Sequence, residues 1–432
     1  MTASSAMVWD DTVARRFLQD LFTAAIASAD PSAGMLKPHL PDPPAGKCIV
    51  VGAGKAAASM AAAVDAAWPD VPLSGVVVVP YGYGMDIGRI RVREAAHPVP
   101  DAQSEQAARE ILAAVRGLTP DDLVLVLISG GGSSVLALPA DGISLADKQD
   151  LNRRLLASGL DIRTMNAIRR RFSAIKGGKL LQAAAPARVV TLAISDIPGD
   201  DIAAIASGPS VPDPGAHLDL SCVHGALGPD LPAHILAQLR QVAPTRAPAP
   251  EIDARLVATP RAALEAAAAF ARAHNVKPVI LGDDIEGDSA QVAAAMANEV
   301  RAAVTTPTVY LSGGETTVTL TGGRAGRGGR NTEFVLSAVT TLDGDPQVWL
   351  LAGDTDGEDG ASGGAAGAIG TPDTLERARA AGIDVAASLR GHDSATLFAA
   401  IGDLIITGPT RTNVNDFRAI LVIPECGHGH SR

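Results

Sequence analysis

Four kinds of residue in this chain have types and spacing suited to oxyanion chemistry. Lys55 lies in VVGAGKAAASMA at 50–61, where an apolar run passes through a tight turn into a helical pattern. Gly52 and Gly54 form that turn, and the helix start behind it presents free N–H groups to an anion. LVLVLISGGGSSVLALP at 123–139 delivers Ser129, Gly130, Gly131, Gly132, Ser133 and Ser134 in a row. Successive glycine N–H groups can form a nest for phosphate oxygens, and the hydroxyls add donors. Asp196 follows VVTLAIS, the position from which α/β proteins aim side chains into a cleft; there it could hold a metal or accept a proton. LSGGETTVTLTGGRAGRGGRNTEF at 311–334 sets Glu315 after an apolar run and Arg324, Arg327, Arg330 and Asn331 among glycines. Arginine offers a planar fork to oxyanions, and glycine lets an anion come close.

Asp354 and Asp356, in LLAGDTDGEDGASGG at 350–364, have the carboxylate chemistry that Mg²⁺ prefers, with an Asx-type turn as the alternative. The basic stretch TMNAIRRRFSAIKGGKL at 164–180 reads as one helix ended by Gly177 and Gly178, its cations facing either a ligand or water. The turn G-x-G-x-x-A at 52–57 also fits a dinucleotide site, but the next strand ends VVVVPYGYG without the acid that binds a ribose hydroxyl. A helix-capping turn with a solvated lysine is the plainer alternative. GASGG at 360–364 fits a nucleophile elbow, yet it lies well past its strand.

These residues need a scaffold. CIVVG, GVVVVP, LVLVLIS and VVTLAIS read as buried parallel strands, with alanine-rich helices between them, which predicts a doubly wound α/β sheet. A chain of 432 residues is long enough for two domains. The proline-rich QVAPTRAPAPEID at 241–253 reads as a linker, dividing an N-terminal domain at 1–246 from a C-terminal α/β domain at 247–432. A net charge of −11 argues against nucleic-acid or anionic-membrane partners and leaves small molecules, with a homodimer compatible. Three dispersed cysteines and no apolar run of membrane-spanning length predict a reduced, cytoplasmic protein.

Taken in order, GAGKAAASM, HPVPDAQS, SGGGSS, AIKGGK, SDIPGDD, ASGPSVPD, SGGETTV, GRGGRNTE, DTDGEDG and TGPTRTNVND resemble the class II glycerate kinases, whose C-terminal half is known as the MOFRL domain. The resemblance implies ATP-dependent phosphorylation of D-glycerate to 2-phosphoglycerate with Mg²⁺. It implies a Rossmann-like three-layer N-terminal domain with a parallel sheet, a smaller α/β C-terminal domain with a mixed sheet, and an active site in the cleft between them; closure of that cleft is expected because water must be kept from ATP until glycerate arrives. It also implies Lys55, Asp196 and Arg330 as active-site residues.

On that basis the SGGGSS loop, with Gly52 and Gly54, is expected to hold nucleotide phosphates. Lys55 is expected to stabilise the transferring group, and Asp196 to orient or deprotonate the 2-hydroxyl or to ligate Mg²⁺. Arg330 is expected to bridge substrate and phosphoryl oxygens, with Glu315, Arg327 and Asn331 at the substrate and Asp354 and Asp356 at the metal. The family is often labelled hydroxypyruvate reductase, and the missing ribose acid argues against an NAD(P)H enzyme here. A non-catalytic nucleotide or organic-acid sensor is the remaining alternative.

Overall fold

The computed structural model describes residues 9–31, 34–228, 230–241, 252–300, 304–320 and 326–424. Along the chain, α1 (Asp11–Ser28) precedes β1 (Cys48–Ala53), α2 (Ala57–Ala67), β2 (Leu73–Pro80), β3 (Ile90–Ala95), α3 (Ala102–Ala114) and β4 (Leu123–Ile128). Four helices, α4 (Gly132–Val135), α5 (Leu145–Ala157), α6 (Ile162–Arg171) and α7 (Lys179–Ala184), lead to β5 (Arg188–Ile194); α8 (Ala233–Arg240) leads to β6 (Asp253–Ala258). Then come α9 (Pro260–Ala273), β7 (Lys277–Gly282), β8 (Gly287–Asp288), α10 (Ser289–Glu299), β9 (Thr308–Ser312), β10 (Thr316–Thr317) and α11 (Arg330–Leu342). The chain finishes with β11 (Val348–Asp354), β12 (Gly367–Gly370), α12 (Thr374–Ala380), α13 (Val385–Arg390), α14 (Ser394–Ile401), β13 (Leu404–Ile405) and β14 (Asp416–Val422).

Two compact units divide the chain: Asp30–Thr259 with Arg411–Asn413, and Met1–Ala29 with Pro260–Thr410 and Val414–Arg432. In the first, six parallel strands run in the order β3-β2-β1-β4-β5-β6. This is the doubly wound order, and its direction reverses between β1 and β4. Every residue of β1 and β4 is buried, as a central parallel strand requires. Gly52 is inside β1, where a Cβ would run into the Leu127 carbonyl. A second core packs α5, α6 and α8 around Phe172, Leu151 and Ile235.

The second unit has a mixed sheet in the order β13-β12-β11-β14-β9-β7, antiparallel except between β7 and β9. Its core gathers α10, α11 and α14 around Phe334, Leu336 and Phe398.

The expected boundary at 246/247 divides the chain differently from these units. Residues 242–251 of the expected linker lie outside the described residues, but β6 beyond them continues the first sheet by pairing with β5. The change of unit therefore falls at Thr259/Pro260. At the other end, α1 buries Phe17, Leu18, Leu21 and Phe22 within the second unit. Phe17 meets Phe270 of α9, Phe22 meets Phe417 of β14, and Gly353 of β11 leaves room for the Phe22 ring.

The basic stretch also differs from expectation. Helix α6 stops at Arg171 because Phe172 turns fully into the core, so Arg169 and Lys176 share no helix face. Arg170 and Lys176 are buried rather than facing water.

Candidate functional site

The loops after β1 and β4 meet where the strand order reverses. Lys55 N–H donates to the Gly130 carbonyl (2.9 Å), and Ala56 N–H donates to Ser129 Oγ (2.9 Å). The approach requires glycine at 54, whose φ is +122° and whose Cβ would strike the Ser129 carbonyl. Gly131, at φ +75°, turns the chain into α4. Ser134 Oγ donates to the Gly131 carbonyl (3.0 Å), and Ser133 Oγ pairs with Ser207 Oγ (2.9 Å).

This leaves the Gly130 and Gly131 N–H groups without a protein acceptor among the described residues. Four side chains converge on these two glycines. A Cβ on Gly130 would land on the Asp196 carboxylate and the Asn413 amide; one on Gly131 would sit 3.1 Å from the His97 ring and 3.5 Å from Lys55 Cγ. Asn413 Nδ2 donates to Asp196 Oδ2 (3.3 Å). Lys55 follows β1, His97 follows β3 and Asp196 follows β5, so all three stand at the carboxyl edge of the parallel sheet.

Of the residues expected to hold phosphate, Gly52, Gly132, Ser129 and Ser134 are buried supports. Gly131 and Ser133 reach the surface. His97 and Asn413 were missed as site residues. Their signals were a histidine two residues past a strand and an asparagine within TRTNVND.

In the second unit Arg330 begins α11. Gly329 at the helix cap has no side chain to offer, and Asp359 replaces it by accepting from the N–H groups of Asn331 (2.9 Å) and Thr332 (2.8 Å). Burial dominates the Asp359 carboxyl and raises it to about 6, despite those donors. Arg330 donates from Nε to Asp416 (2.9 Å), from Nη2 to Asp354 (2.7 Å) and from Nη1 to Glu315 (3.0 Å). Burial by itself would lower the guanidinium pKa; Asp416, Asp354 and Glu315 outweigh it and leave the group raised.

Several expected roles need correction here. Asn331 is fully buried, its Nδ2 donating to Asp416 (2.7 Å), so it supports the carboxylates instead of meeting a substrate. Arg327 donates from Nε to the Ser362 carbonyl (2.5 Å), and Ser362 Oγ donates to the Ala365 carbonyl. Asp354 binds Arg330 through Oδ2 and the Asp356 N–H (3.1 Å) through Oδ1, while Asp356 Oδ1 accepts from the Glu358 N–H (2.8 Å). This is the Asx-turn arrangement, and it does not fit a magnesium site at Asp354 and Asp356. Among the described residues no group of three or more His, Cys, Asp or Glu side chains is set to hold a metal ion. Arg324 and the Cys426, His428 and His430 tail lie outside the described residues.

Fold and site together define a doubly wound α/β protein with an ammonium and a carboxylate set against a glycine loop at the strand reversal, joined to a mixed-sheet α/β unit. Residues 17–240 match the family model described as domain of unknown function DUF4147, and residues 308–416 match the MOFRL family. The chain is 53% identical over 423 residues to a putative hydroxypyruvate reductase of Agrobacterium vitis, covering 96% of each. It is 37% identical over 397 residues to the glycerate 2-kinase of Pyrococcus horikoshii, covering 88% of this chain and 89% of that one. The crystal structure of glycerate kinase from Thermotoga maritima superposes with a TM-score of 0.85 at 32% identity, covering 96% of this chain and 100% of that chain. The chain belongs to the glycerate 2-kinase family that carries the MOFRL domain.

Proposed function

We propose that this protein phosphorylates the 2-hydroxyl of D-glycerate with ATP, releasing 2-phosphoglycerate and ADP. The observation that carries the reading is the convergence of Lys55 and Asp196 on Gly130 and Gly131, whose N–H groups have no protein acceptor among the described residues. Phosphoryl transfer asks a protein to align anions and neutralise charge as it moves, and a cation beside free N–H donors suits that task.

In this reading the Gly130 and Gly131 N–H groups take phosphate oxygens, and the Lys55 ammonium neutralises the transferring group. Asp196, held by Asn413, orients the 2-hydroxyl and takes its proton as its oxygen bonds to the γ-phosphorus; the bond from that phosphorus to the ADP oxygen breaks. Magnesium enters as part of the nucleotide substrate. In the second unit Glu315, exposed where Asp354 and Asp416 are buried, holds Arg330 through Nη1. The cytoplasm is the proposed compartment; among the described residues no helix is long and apolar enough to cross a membrane.

The Agrobacterium relative's name favours a second reading, hydroxypyruvate reduction. No acid takes the ribose position past β2, and the neighbouring Glu94 accepts from the Gly82 and Gly84 N–H groups (2.9 and 3.0 Å). ADP formation from ATP, Mg²⁺ and D-glycerate tests the two. Oxidation of a reduced nicotinamide cofactor by hydroxypyruvate, without ADP formation under any hydroxy acid, would reject the kinase.

A further inference from the structure

Behind the SGGGSS loop lies a concentration of positive charge that the proposed reaction does not use. Lys176 is only 3% exposed and donates from Nζ to the Ser133 carbonyl (2.5 Å). Lys148 of α5 donates to the Phe172 carbonyl (3.3 Å), and Lys179 of α7 donates to the Arg170 (2.9 Å) and Ser173 carbonyls. Arg169 reaches Asn152 Oδ1 (3.0 Å) and Asn166 Oδ1 (3.2 Å). The last carbonyls of α6 thus gather the ammonium groups at its negative end.

Acids are turned elsewhere. The charges that act on Lys176 are Lys148, Arg169 and Arg170, and those on Lys148 are Lys179 and Arg169. Asp213 is committed to Arg170 (2.9 Å), with Arg170 Nε buried and unbonded. On α5, Asp147 faces His234 (3.2 Å) and Asp150 faces Arg154 (2.7 Å). Burial first, then the neighbouring cations, brings Lys148 down to about 7 and pushes Lys176 well below its ordinary value. A lysine so lowered holds its proton more firmly once a negative charge arrives beside it.

We propose that Lys148, Lys176 and Arg169, with the Ser133 segment, form a binding subsite for a doubly charged oxyanion, and that its occupation is coupled to proton uptake. Lys176 forms its buried floor, while Lys148 and Arg169 are half-buried at its rim. The subsite deepens the reading that the SGGGSS loop takes phosphoryl oxygens. The oxyanion is phosphoryl in character, from the nucleotide or from the phosphorylated product.

Inorganic sulfate is the probe, because it does not titrate near neutrality and any proton uptake comes from the protein. Calorimetry at pH 6.5 and 8.5, in buffers of different ionisation heat, is expected to show saturable sulfate binding with net proton uptake. Binding should be about tenfold or more tighter at the lower pH. In Lys148→Arg the charge no longer titrates, so binding should persist while the uptake falls; in Lys176→Met binding should weaken at least tenfold. Competition by ADP or by 2-phosphoglycerate then identifies the source. Absence of saturable binding, or the same affinity and proton count in wild type and Lys148→Arg, would overturn the proposal even if Lys176→Met fails to fold. Sulfate binding needs no turnover, so failure of the kinase reading would leave this result separately legible.

Discussion

Asp354 and Asp416 stand directly opposite one another across the antiparallel pair β11 and β14, and the Arg330 guanidinium binds both. Both carboxylates are buried, and Asp416 takes a second guanidinium from Arg418 (2.7 Å). Arg330 is therefore a counterion in the second unit before it is anything else. Removing one partner of a buried ion pair leaves the other charge uncompensated, at ~3–5 kcal/mol. Arg330→Ala should lose about that much in urea unfolding, with Arg330→Lys recovering part of it. Unchanged stability would show that the three carboxylates do not need the guanidinium.

Lys55 should behave differently. It is half-buried, and its backbone N–H fastens the two loops together. Lys55→Ala should reduce kcat by about 10²–10³-fold, the scale of a lost transition-state donor, while the thermal midpoint stays near that of wild type. A large fall in stability with kcat preserved would move Lys55 out of the chemistry.

Glu315, which is exposed, binds Nη1 of Arg330 at 3.0 Å. An exposed ion pair is worth ~0.2–1 kcal/mol, so Glu315→Gln should lower stability in urea unfolding by no more than about that, well short of the loss in Arg330→Ala. A loss as large as that of Arg330→Ala would show that this exposed pair carries as much as the buried ones.

Gly131 has φ +75°, a conformation that costs a residue bearing Cβ about 1–2 kcal/mol. Gly131→Ala should lower stability by that amount and also crowd the His97 ring. Gly54→Ala should be worse, because its Cβ meets backbone that cannot turn away. Equal melting temperatures for the two variants and wild type would contradict the geometry of the paired loops.

Burial raises the Asp359 carboxyl from 3.8 to about 6. Between those values the folded protein holds a proton that the unfolded chain has lost, so the contribution of Asp359 to stability falls as pH rises from 3.8 to 6. Carbon NMR of the carboxyl should show its midpoint about two units above an exposed aspartate. In Asp359→Asn, that part of the slope of the melting temperature against pH should vanish.

The strands of the first sheet were legible because fully buried parallel strands are unbroken apolar runs, and the residues that follow them in sequence are the ones at its carboxyl edge. Lys55, Asp196 and the glycine loop could be picked out for that reason. The unit boundary was not legible: a proline-rich segment looks like a domain linker whether or not the strand beyond it returns to the same sheet, as β6 does. The partners of α1 were also hidden, since an apolar helix face does not name what it covers. Asp354 looked like a metal ligand because one residue type serves metals, turns and ion pairs alike. What decides is the register that sets it against Asp416, a contact 62 residues away in sequence. His97 escaped because it follows a half-exposed strand, β3, that carries no apolar run.

The most direct test of the account is phosphorus NMR of the product formed from ATP, Mg²⁺ and D-glycerate by the wild-type protein and by Lys55→Ala. The account predicts a 2-phosphoglycerate resonance with wild type and its loss in the variant. A product phosphorylated at the 3-hydroxyl, or no phosphorylated hydroxy acid from a folded wild-type protein, would contradict it.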